Sequence, residues 1–276
     1  MTTIQPQTLR TFFAQSGLPL LEAKMLVEKV LGVTRAWMIT HDTDRIADKD
    51  WALLQILVQR RLQGEPMAYI VGKREFMGLD FSVNPSVLIP RPDTEILVET
   101  ALAFLEKYPT ASVLDMGTGS GAIALSIAYH CPTASVVASD VSEAALSVAK
   151  QNALQLNQSV QFIQSDWFSQ IPKQSFHLIV SNPPYIHPDD IHLSQGDLRF
   201  EPLSALTDFS DGLSCYRTII QQAPLYLKEN GALYVEHGWD QAESIRKILY
   251  EAGFSNISSI KDLSGIERVS GGVFLV

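Results

Sequence analysis

The chain has 276 residues, of which 46% are hydrophobic and 18% are charged, a composition that excludes disordered, collagen-like and disulfide-stabilised mini-protein classes. Its 21 basic and 30 acidic residues give a net charge of −9, which argues against sequence-blind binding to nucleic acid or anionic lipid. The two cysteines, Cys131 and Cys215, are far apart and form no CxxC pair, as is typical of a reducing compartment.

The chain begins with MTTIQPQTLRTFF, which lacks the basic start and the apolar run of a signal peptide. No apolar run reaches about 18 residues, the length that crosses a membrane. We therefore expect a cytoplasmic protein without membrane contact, and its length predicts two domains at about 150 residues each.

Residues 1–67 carry the patterns of short amphipathic helices. Between Pro19 and Gly32, apolar residues recur at helical spacing opposite charged residues, and a second helical pattern starts at Asp48, a candidate N-cap. Short amphipathic helices joined by polar segments predict a small helical bundle that packs on itself or on a partner.

Residues 68–92 change to a strand pattern that is rich in β-branched and aromatic side chains. The tetrapeptide Met77-Gly78-Leu79-Asp80 is a candidate turn, so the segment predicts a β-hairpin linker. The prolines of the segment Ile89-Pro90-Arg91-Pro92 then predict a rigid joint, and we place the domain boundary there.

Residues 93–276 alternate apolar strand patterns with helical patterns, which predicts an α/β domain with a mostly parallel sheet and helices on both faces. Helical stretches are expected between the first six strands. The last two strands are joined by a few residues around Gly265, too few for a parallel crossover, so the last strand is predicted to be antiparallel. The seven candidate strands are Ser112–Leu114, Ser135–Ser139, Val160–Gln164, Leu178–Ser181, Ala232–Val235, Ile257–Leu263 and Val269–Val276.

A glycine-rich turn follows the first of these strands and opens a helix. Its residues are Gly117, Thr118, Gly119, Ser120 and Gly121. Glycines let a ligand approach the backbone closely, but the G-x-G-x-G spacing differs from dinucleotide and P-loop motifs. The carboxylate of Asp115, just before the turn, repels a phosphate and suits the cationic head of an amino acid. Without a ligand, the same glycines would serve a plain strand-to-helix turn.

Two further acids follow the next two candidate strands. Asp140 ends the second strand, where an acid typically binds both hydroxyls of a ribose, and Asp166 and Trp167 follow the third, where they are placed to flank an adenine ring. Trp167 alone is also compatible with an ordinary buried aromatic. An adenosine that carries an amino acid and no phosphate fits Asp115 and Asp140 together, which predicts S-adenosylmethionine as the ligand.

The tetrapeptide Asn182-Pro183-Pro184-Tyr185 follows the fourth strand, at the carboxyl edge where α/β sheets bind ligands. Its prolines fix the backbone and remove two N–H donors, which leaves a stiff loop of hydrogen-bond acceptors. A planar NH2 group fits this loop, with one hydrogen on Asn182, the other on the carbonyl of Pro183, and Tyr185 against its flat face. We predict methyl transfer to that nitrogen without a metal and assign no general base; a rigid proline turn is the structural alternative.

Together these motifs resemble the PrmC/HemK family, the N5-glutamine methyltransferases of peptide chain release factors. Donor-site glycines and NPPY occur in many methyltransferases, whereas the PRPDTE segment and a helical domain joined by a hairpin are more specific. The resemblance covers almost the whole chain. The matching segments are GEPMAYIVGKREFMGLDF (64–81), LIPRPDTE (88–95), VLDMGTGSGAIA (113–124), SNPPYI (181–186), FEPLSAL (200–206), DGL (211–213) and EHG (236–238).

The resemblance implies a seven-stranded, Rossmann-like methyltransferase domain over residues 93–276 that uses S-adenosylmethionine, releases S-adenosylhomocysteine and needs no metal. The substrate would be the glutamine of the GGQ motif in bacterial class 1 release factors, gripped by the helical domain of residues 1–67, with the enzyme a monomer that contacts no nucleic acid directly. By position, Arg91 and Glu95 resemble part of the wall near the active site. The residues that resemble cofactor contacts are Gly117 to Gly121, Asp140, Trp167 and Asn182, and those that resemble the glutamine-binding loop are Asn182 to Tyr185.

Other functions are compatible with parts of the pattern. An adenine-N6 methyltransferase acting on DNA or RNA would hold an exocyclic amine in the same loop after base flipping, although the net charge of −9 weighs against it. A non-catalytic binder would use only the N-terminal bundle, and the intact Asp115, Asp140 and Asn182 argue against it. The run HPDDIH (187–192) is a weak metal-site candidate, and EHG (236–238) is expected to pack near the sheet edge.

Overall fold

The computed structural model of the protein describes residues 6–275. The chain divides into two compact units, Met1–Gly72 and Lys73–Val276. Residues 1–5, which begin the predicted helical bundle and the segment compared with a signal peptide, lie outside the described residues, as does Val276, the predicted end of the last strand. Within residues 6–275, no helix is long and apolar enough to cross a membrane.

The first unit is helical, as the sequence predicted. Its helices are α1 (Leu9–Gln15), α2 (Leu20–Leu31), α3 (Arg35–Thr40), α4 (Asp48–Leu62) and α5 (Met67–Val71). Buried apolar side chains from each helix form one core, in which Phe12, Leu26 and Leu54 have no exposed surface. The helix α2 ends where predicted, because Gly32 adopts the left-handed conformation with φ of 66°.

Two helix boundaries differ from the sequence-based expectation. Asp48 is the first residue of α4 rather than its N-cap, which is Ala47. The carboxylate of Asp48 therefore lies in the first turn, where it complements the positive end of the helix dipole. The strand pattern predicted from residue 68 is wrong up to Val71, because α5 follows Pro66 and ends at Gly72, which has a positive φ of 83°.

The predicted hairpin occupies a narrower range than residues 68–92. Strand β1 (Lys73–Phe76) pairs antiparallel with β2 (Leu79–Ser82). The two residues between them, Met77 and Gly78, have positive φ values of 51° and 77°, as a tight hairpin turn requires. The rings of Phe76 and Phe81 pack edge to face and join the core of the second unit.

A seven-stranded sheet lies at the centre of the second unit. Its strands are β3 (Ser112–Met116), β4 (Ser135–Asp140), β5 (Gln161–Gln164), β6 (Phe176–Ser181), β7 (Leu227–Glu236), β8 (Phe254–Lys261) and β9 (Glu267–Phe274). The spatial order is β5-β4-β3-β6-β7-β9-β8. Strands β3 to β7 pair in parallel, and β9 is antiparallel to both of its neighbours, which confirms the predicted reversal of the last strand.

Helices cover both faces of this sheet. They are α6 (Glu95–Leu105), α7 (Ala122–His130), α8 (Glu143–Gln155), α9 (Ser214–Gln222) and α10 (Ala242–Glu251). Apolar residues of α6 and α7 pack in the core on one face, and those of α9 and α10 pack in the core on the other. The helix predicted between β5 and β6 is wrong, because residues 165–175 form turns that include Pro172, which lacks the N–H a helix interior requires.

Strand β9 lies so close to its neighbour β7 at one position that there is no room for a side chain. Gly271 of β9 is opposite Tyr234 of β7, and a Cβ on this glycine would overlap the Tyr234 ring and the carbonyl oxygen of Leu233. The Tyr234 ring instead packs against Phe104 of α6, with 6.2 Å between ring centroids. The glycine is therefore required by a close approach of two strands.

Candidate active site

A cavity of about 530 Å³, called the site cavity below, opens at the carboxyl edge of the parallel strands. This edge is where ligands of α/β proteins bind. The predicted site residues that line it are Gly117, Thr118, Gly119, Ser120, Asp140, Asp166, Trp167, Asn182 and Pro184. The predicted site residues that are not among its lining residues are Asp115, Gly121, Pro183, Tyr185, Arg91 and Glu95.

The glycine loop folds tightly because its glycines adopt conformations that other residues avoid. The φ values of Gly117, Gly119 and Gly121 are 71°, 55° and 82°. A Cβ on Gly121 would lie 3.0 Å from Leu125 and 3.2 Å from Ala149 of α8. The third glycine therefore lets α7 start against α8, and the first two turn the loop toward the site cavity.

Asp115 lies beneath the glycine loop rather than in the site cavity. Its side chain is fully buried, and Oδ2 accepts hydrogen bonds from Thr118 Oγ1 at 2.6 Å and from the N–H of Ala124 at 3.2 Å. Burial raises the pKa of this carboxyl to about 7. Both partners of Oδ2 lie in the loop and in the helix that follows it, and Oδ1 has no hydrogen-bond partner among the described residues. The contact of Asp115 with a ligand amino group stays a prediction.

Asp140 lies at the end of β4 with its carboxylate on the cavity wall. Its Oδ2 accepts a hydrogen bond from the N–H of Gly119, and its Oδ1 accepts one from the N–H of Ser142, both at 2.9 Å. Burial raises its pKa, and the backbone hydrogen bonds oppose that shift. The acid is thus fixed in orientation beside the glycine loop, where a carboxylate can accept from hydroxyl groups of a ligand.

Asp166 and Trp167 form another part of the cavity wall, in the turn after β5. Trp167 has a positive φ of 46°, a conformation that non-glycine residues seldom adopt, and Ser165 Oγ stabilises it by donating to the Trp167 carbonyl at 2.7 Å. A Cβ on Gly117 would lie 3.9 Å from the indole ring. The ring therefore lies against the glycine loop, while Asp166 is exposed at the cavity edge.

The NPPY loop follows β6 and places Asn182 and Pro184 on the cavity wall. The Nδ2 of Asn182 donates to Thr94 Oγ1 at 3.2 Å. Behind the wall, Gln241 Nε2 donates to the carbonyl of Tyr185 at 3.1 Å, and burial raises the pKa of the Tyr185 hydroxyl. Hydrogen bonds thus fix the loop at Asn182 and at the carbonyl of Tyr185, and the Tyr185 side chain is partly buried beneath it.

Glu236 is a functional candidate that the sequence analysis assigned to packing. It ends β7, has 2% of its surface exposed, and follows Val235, which pairs with Ser181, the residue before Asn182. Burial raises its pKa to about 7. The sequence signals for Glu236 were its position at the carboxyl end of a parallel strand and its place in the EHG segment, since its neighbours in the structure lie far away along the chain.

Arg91 is paired with Glu201 rather than exposed in the cavity wall. The Glu201 side chain has no exposed surface, and its Oε2 also accepts from the N–H of Ile89 at 3.0 Å. Burial raises the pKa of Glu201, and the charge of Arg91 opposes that shift. This pair joins the Ile89–Pro92 joint to the segment that carries Pro202, Ser204 and Ala205, all of which line the site cavity.

Glu95 does not line the site cavity, and its expected place near the active site stays a prediction. Its Oε1 accepts a hydrogen bond from the N–H of Met77 at 2.9 Å, so the carboxylate holds the turn of the hairpin. The residue lies at the start of α6, one position after Thr94, which does line the site cavity. The PDTE segment thus contributes a threonine to the site and a glutamate to the hairpin.

Asp208 and Phe209 form a further part of the cavity wall that sequence reasoning missed. The carboxylate of Asp208 accepts hydrogen bonds from the N–H groups of Ser210, Gly212 and Ser214 and from the Ser214 hydroxyl, at 2.6 to 3.0 Å. Phe209 has a positive φ of 54° and is 64% exposed. The turn therefore presents an aromatic ring at the cavity mouth.

The HPDDIH run forms two separate pairs. His192 Nδ1 lies 2.7 Å from Asp190 Oδ1, whereas His187 Nδ1 lies 3.8 Å from Asp189 Oδ2. Among the described residues, no group of three or more His, Cys, Asp or Glu side chains is arranged to hold a metal ion. The metal-site alternative therefore receives no support from this run.

Two domain families match the chain. Residues 7–72 match the family described as PrmC N-terminal domain, and residues 92–196 match the family described as Methyltransferase small domain. A methyltransferase of known structure from Pyrococcus furiosus has a TM-score of 0.54 and 19% identity, covering 79% of this chain and 98% of that chain. That likeness concerns the fold.

Curated relatives match over nearly the full length. The protein of Bordetella pertussis named Release factor glutamine methyltransferase is 54% identical, covering 96% of this chain and 98% of that protein. The protein of the same name from Neisseria gonorrhoeae is 49% identical, covering 97% of this chain and 98% of that protein. The one from Escherichia coli is 43% identical, covering 92% of this chain and 92% of that protein.

Proposed function

The chain belongs to the release factor glutamine methyltransferase family, and on this premise we propose how its own residues perform the reaction. The reaction transfers a methyl group from S-adenosylmethionine to the N5 amide nitrogen of the glutamine in the GGQ motif of a release factor. One observation supports the assignment of residues most directly. The glycine loop, Asp140 and the NPPY loop line a single continuous cavity, so a donor and an acceptor placed on them would meet.

We propose that S-adenosylmethionine binds on the glycine loop, between Asp140 and Trp167. The residues fit such a ligand because the turn lacks the lysine of a phosphate-binding loop, a carboxylate faces the cavity at Asp140, and an indole ring lies against Gly117. When bound, this compound supplies an electrophilic methyl group on a sulfonium sulfur. Asp140 would accept from ribose hydroxyls, and Asp166 and Trp167 would flank the adenine.

The substrate amide would bind on the NPPY loop. Asn182 Oδ1 and the carbonyl of Pro183 are proposed to accept its two N–H hydrogens, with Tyr185 against the flat face of the amide and Pro184 stiffening the loop. An amide nitrogen is a weak nucleophile because its lone pair is delocalised. Two acceptors that hold its hydrogens favour the more electron-rich nitrogen as the new bond forms, which stabilises the transition state more than the ground state. The proton that leaves the nitrogen passes to water.

The helical unit would bind the body of the substrate protein. The match of residues 7–72 to the PrmC N-terminal domain supports this assignment. We propose residues 1–67 as the gripping domain, 68–92 as the linker and 93–276 as the catalytic domain of a monomer. We propose a bacterial class 1 release factor as its partner and, with that partner, a location in the cytoplasm.

Mass spectrometry of an unmethylated class 1 release factor after incubation with S-adenosylmethionine tests the proposal. We expect one methyl group on the GGQ glutamine, and none when that glutamine is replaced by glutamate. Incubation with DNA or RNA under the same conditions tests the adenine-N6 alternative. Methylation of nucleic acid with none on the release factor would refute the proposed function.

A further inference from the structure

The carboxyl group of Glu236 is buried outside the lining of the site cavity and has no part in the reaction described above. It is 2% exposed, and its Oε2 has no hydrogen-bond partner among the residues described. Tyr216 fixes its backbone by donating from its hydroxyl to the Glu236 carbonyl at 2.8 Å. A buried acid is costly to keep without a compensating role.

The neighbours of this carboxyl group are Asn182 and Thr94. Asn182 would hold the substrate amide, and Thr94 is a hydrogen-bond partner of Asn182. Ser181 of β6 pairs in register with Val235 of β7, so Asn182 and Glu236 follow as neighbours on the two strands. Interactions with the side chains of Thr94 and Asn182 lower the pKa of Glu236, and Asn182 Nδ2 donates to Thr94 Oγ1 at 3.2 Å. A carboxylate accepts hydrogen bonds and cannot donate them. The nitrogen of the Asn182 amide is therefore the atom that faces Glu236 and Thr94.

The orientation of this amide matters for the chemistry. An asparagine amide has nearly the same shape when its oxygen and nitrogen exchange places, so packing alone does not select one orientation. With Nδ2 toward Glu236, the planar amide presents Oδ1 on its other branch. The flipped amide would present N–H donors to the N–H donors of the substrate glutamine, which abolishes the hydrogen bond.

We propose that Glu236 and Thr94 are positioning residues that fix Asn182 with its nitrogen toward them and its oxygen available to the substrate amide. This inference rests on the proposed function and deepens it. Neither residue needs to touch the substrate nitrogen, and Glu236 acts only through Asn182. Glu236 ends β7, Thr94 immediately precedes α6, and Asn182 immediately follows β6, so the three residues meet at the edge of the sheet.

The charge state of Glu236 should control the orientation. The pKa of Glu236 is raised to about 7, chiefly by burial; nearby Asp93 contributes to the rise, and Arg268 opposes it. The hydroxyls of Tyr185 and Tyr216 also lie within its electrostatic reach and stay protonated, since burial raises the pKa of both. Once protonated, Glu236 can donate to Asn182 Oδ1 and so permits the flipped amide. Activity should therefore rise with pH as Glu236 loses its proton.

Three variants test the proposal with the release factor as substrate. Glu236→Gln keeps the size but can both donate and accept, so kcat should fall roughly tenfold to a hundredfold, less than when a transition-state contact is removed outright. Thr94→Val removes the hydroxyl at constant shape and should lower kcat, whereas Thr94→Ser should restore it. Glu267→Gln is the matched control, since Glu267 lies on the adjacent strand β9 and pairs with Arg246.

Two readouts separate positioning from general damage. The KM values for S-adenosylmethionine and for release factor should change by no more than about twofold in Glu236→Gln, because only the transition-state contact is lost. The wild-type rise in kcat with pH should be absent from Glu236→Gln and present in Glu267→Gln. A structural defect would move the KM values and the unfolding midpoint instead.

Full kcat in Glu236→Gln would overturn the inference, as would equal activity of Thr94→Val and Thr94→Ser. Parallel losses of kcat and of cofactor binding would also overturn it. If Glu236→Gln does not fold, the two Thr94 variants decide alone. An inactive wild-type protein would refute the proposed function and this inference together, whereas an active wild type with unaffected variants would refute the inference only.

Discussion

Asn152 bonds to Ser82 through both branches of its amide, in the way that a neighbouring strand would. Its Oδ1 accepts from the N–H of Ser82 at 2.7 Å, and its Nδ2 donates to the Ser82 carbonyl at 3.0 Å. The same nitrogen donates to the carbonyl of Ser120 at 2.8 Å. One fully buried side chain of α8 thus joins the hairpin to the glycine loop.

Replacing Asn152 with alanine should lower the free energy of unfolding by about 2–4 kcal/mol, because buried backbone groups lose their partners. Urea denaturation measures this loss. Gln155→Ala is the control, since Gln155 bonds to the same hairpin from an exposed position and should cost no more than about 1 kcal/mol. Equal losses in the two variants would contradict the bridging role of Asn152.

Replacing Asn182 with alanine should lower kcat at least about a hundredfold, because a hydrogen bond made in the transition state is lost. Its effect on cofactor binding should be modest, so calorimetry with S-adenosylmethionine should give a Kd within a few-fold of wild type. A rate loss explained entirely by weaker cofactor binding would place Asn182 in the donor site alone.

Replacing Asp140 with asparagine should weaken S-adenosylmethionine binding by roughly tenfold to a hundredfold, the range for hydrogen bonds to a charged group. The variant should recover much of its kcat at saturating cofactor, because Asp140 lies in the donor part of the site cavity. Asp166→Asn is the comparison: its carboxylate is exposed, so its effect on the Kd should be smaller. The reverse order of effects would exchange the two assignments.

The buried Asp115 predicts a specific pH dependence of stability. Its pKa is about 7 in the folded protein, and about 3.9 is usual in an unfolded chain. Between these values the unfolded chain ionises Asp115 while the folded chain keeps it protonated. The contribution of this group to folding stability is therefore full below about pH 4 and is lost as the pH rises to about 7.

Asp115→Asn removes this titration and supplies the measurement. The unfolding free energy of wild type minus that of the variant should decrease by a few kcal/mol between about pH 4 and about pH 7, at about 1.4 kcal/mol per pKa unit. The Glu236 titration is common to both proteins and cancels in the difference. A difference that stays constant over this range would show that Asp115 is ionised throughout.

Replacing Arg91 with alanine should leave the carboxylate of Glu201 buried without its charged partner. Such losses cost about 3–5 kcal/mol, and we expect faster amide exchange over residues 200–206 in the variant. Arg246→Ala breaks a more exposed pair with Glu267 and should cost no more than about 1 kcal/mol. Unchanged exchange near Glu201 would mean that the segment is held by other contacts.

Much of the fold was predictable because many of its elements are determined by residues that are neighbours in the sequence. The short connection around Gly265 was enough to predict the reversed β9, and the apolar runs predicted the order of strands along the chain. The segment after β5 was predicted as helix from alternation alone. Its turns are instead stabilised by hydrogen bonds such as that from Ser165 Oγ to the Trp167 carbonyl, which shape the site rather than continue a helix.

The candidate site, like the fold, was predictable only where a local sequence pattern identified the residues. The glycine loop, Asp140 and Asn182 were predictable because each follows a strand and a short motif identifies it. Glu236 was not, since its importance depends on Thr94 and Asn182, which reach it only when three segments meet at the sheet edge. The depth of Asp115 was also beyond sequence reasoning, because spacing places a residue near a ligand without saying which side of the loop it occupies.

The crowding at Gly271 gives a remote position influence over the reaction. Tyr234 and Glu236 lie two residues apart on β7, so their side chains leave the same face of the sheet. Any larger residue at Gly271 would push the Tyr234 ring and strain that stretch of β7 toward its end. A substitution at Gly271, which contacts neither reactant, would then lower the turnover rate. Selection for activity would therefore retain a glycine at this buried position.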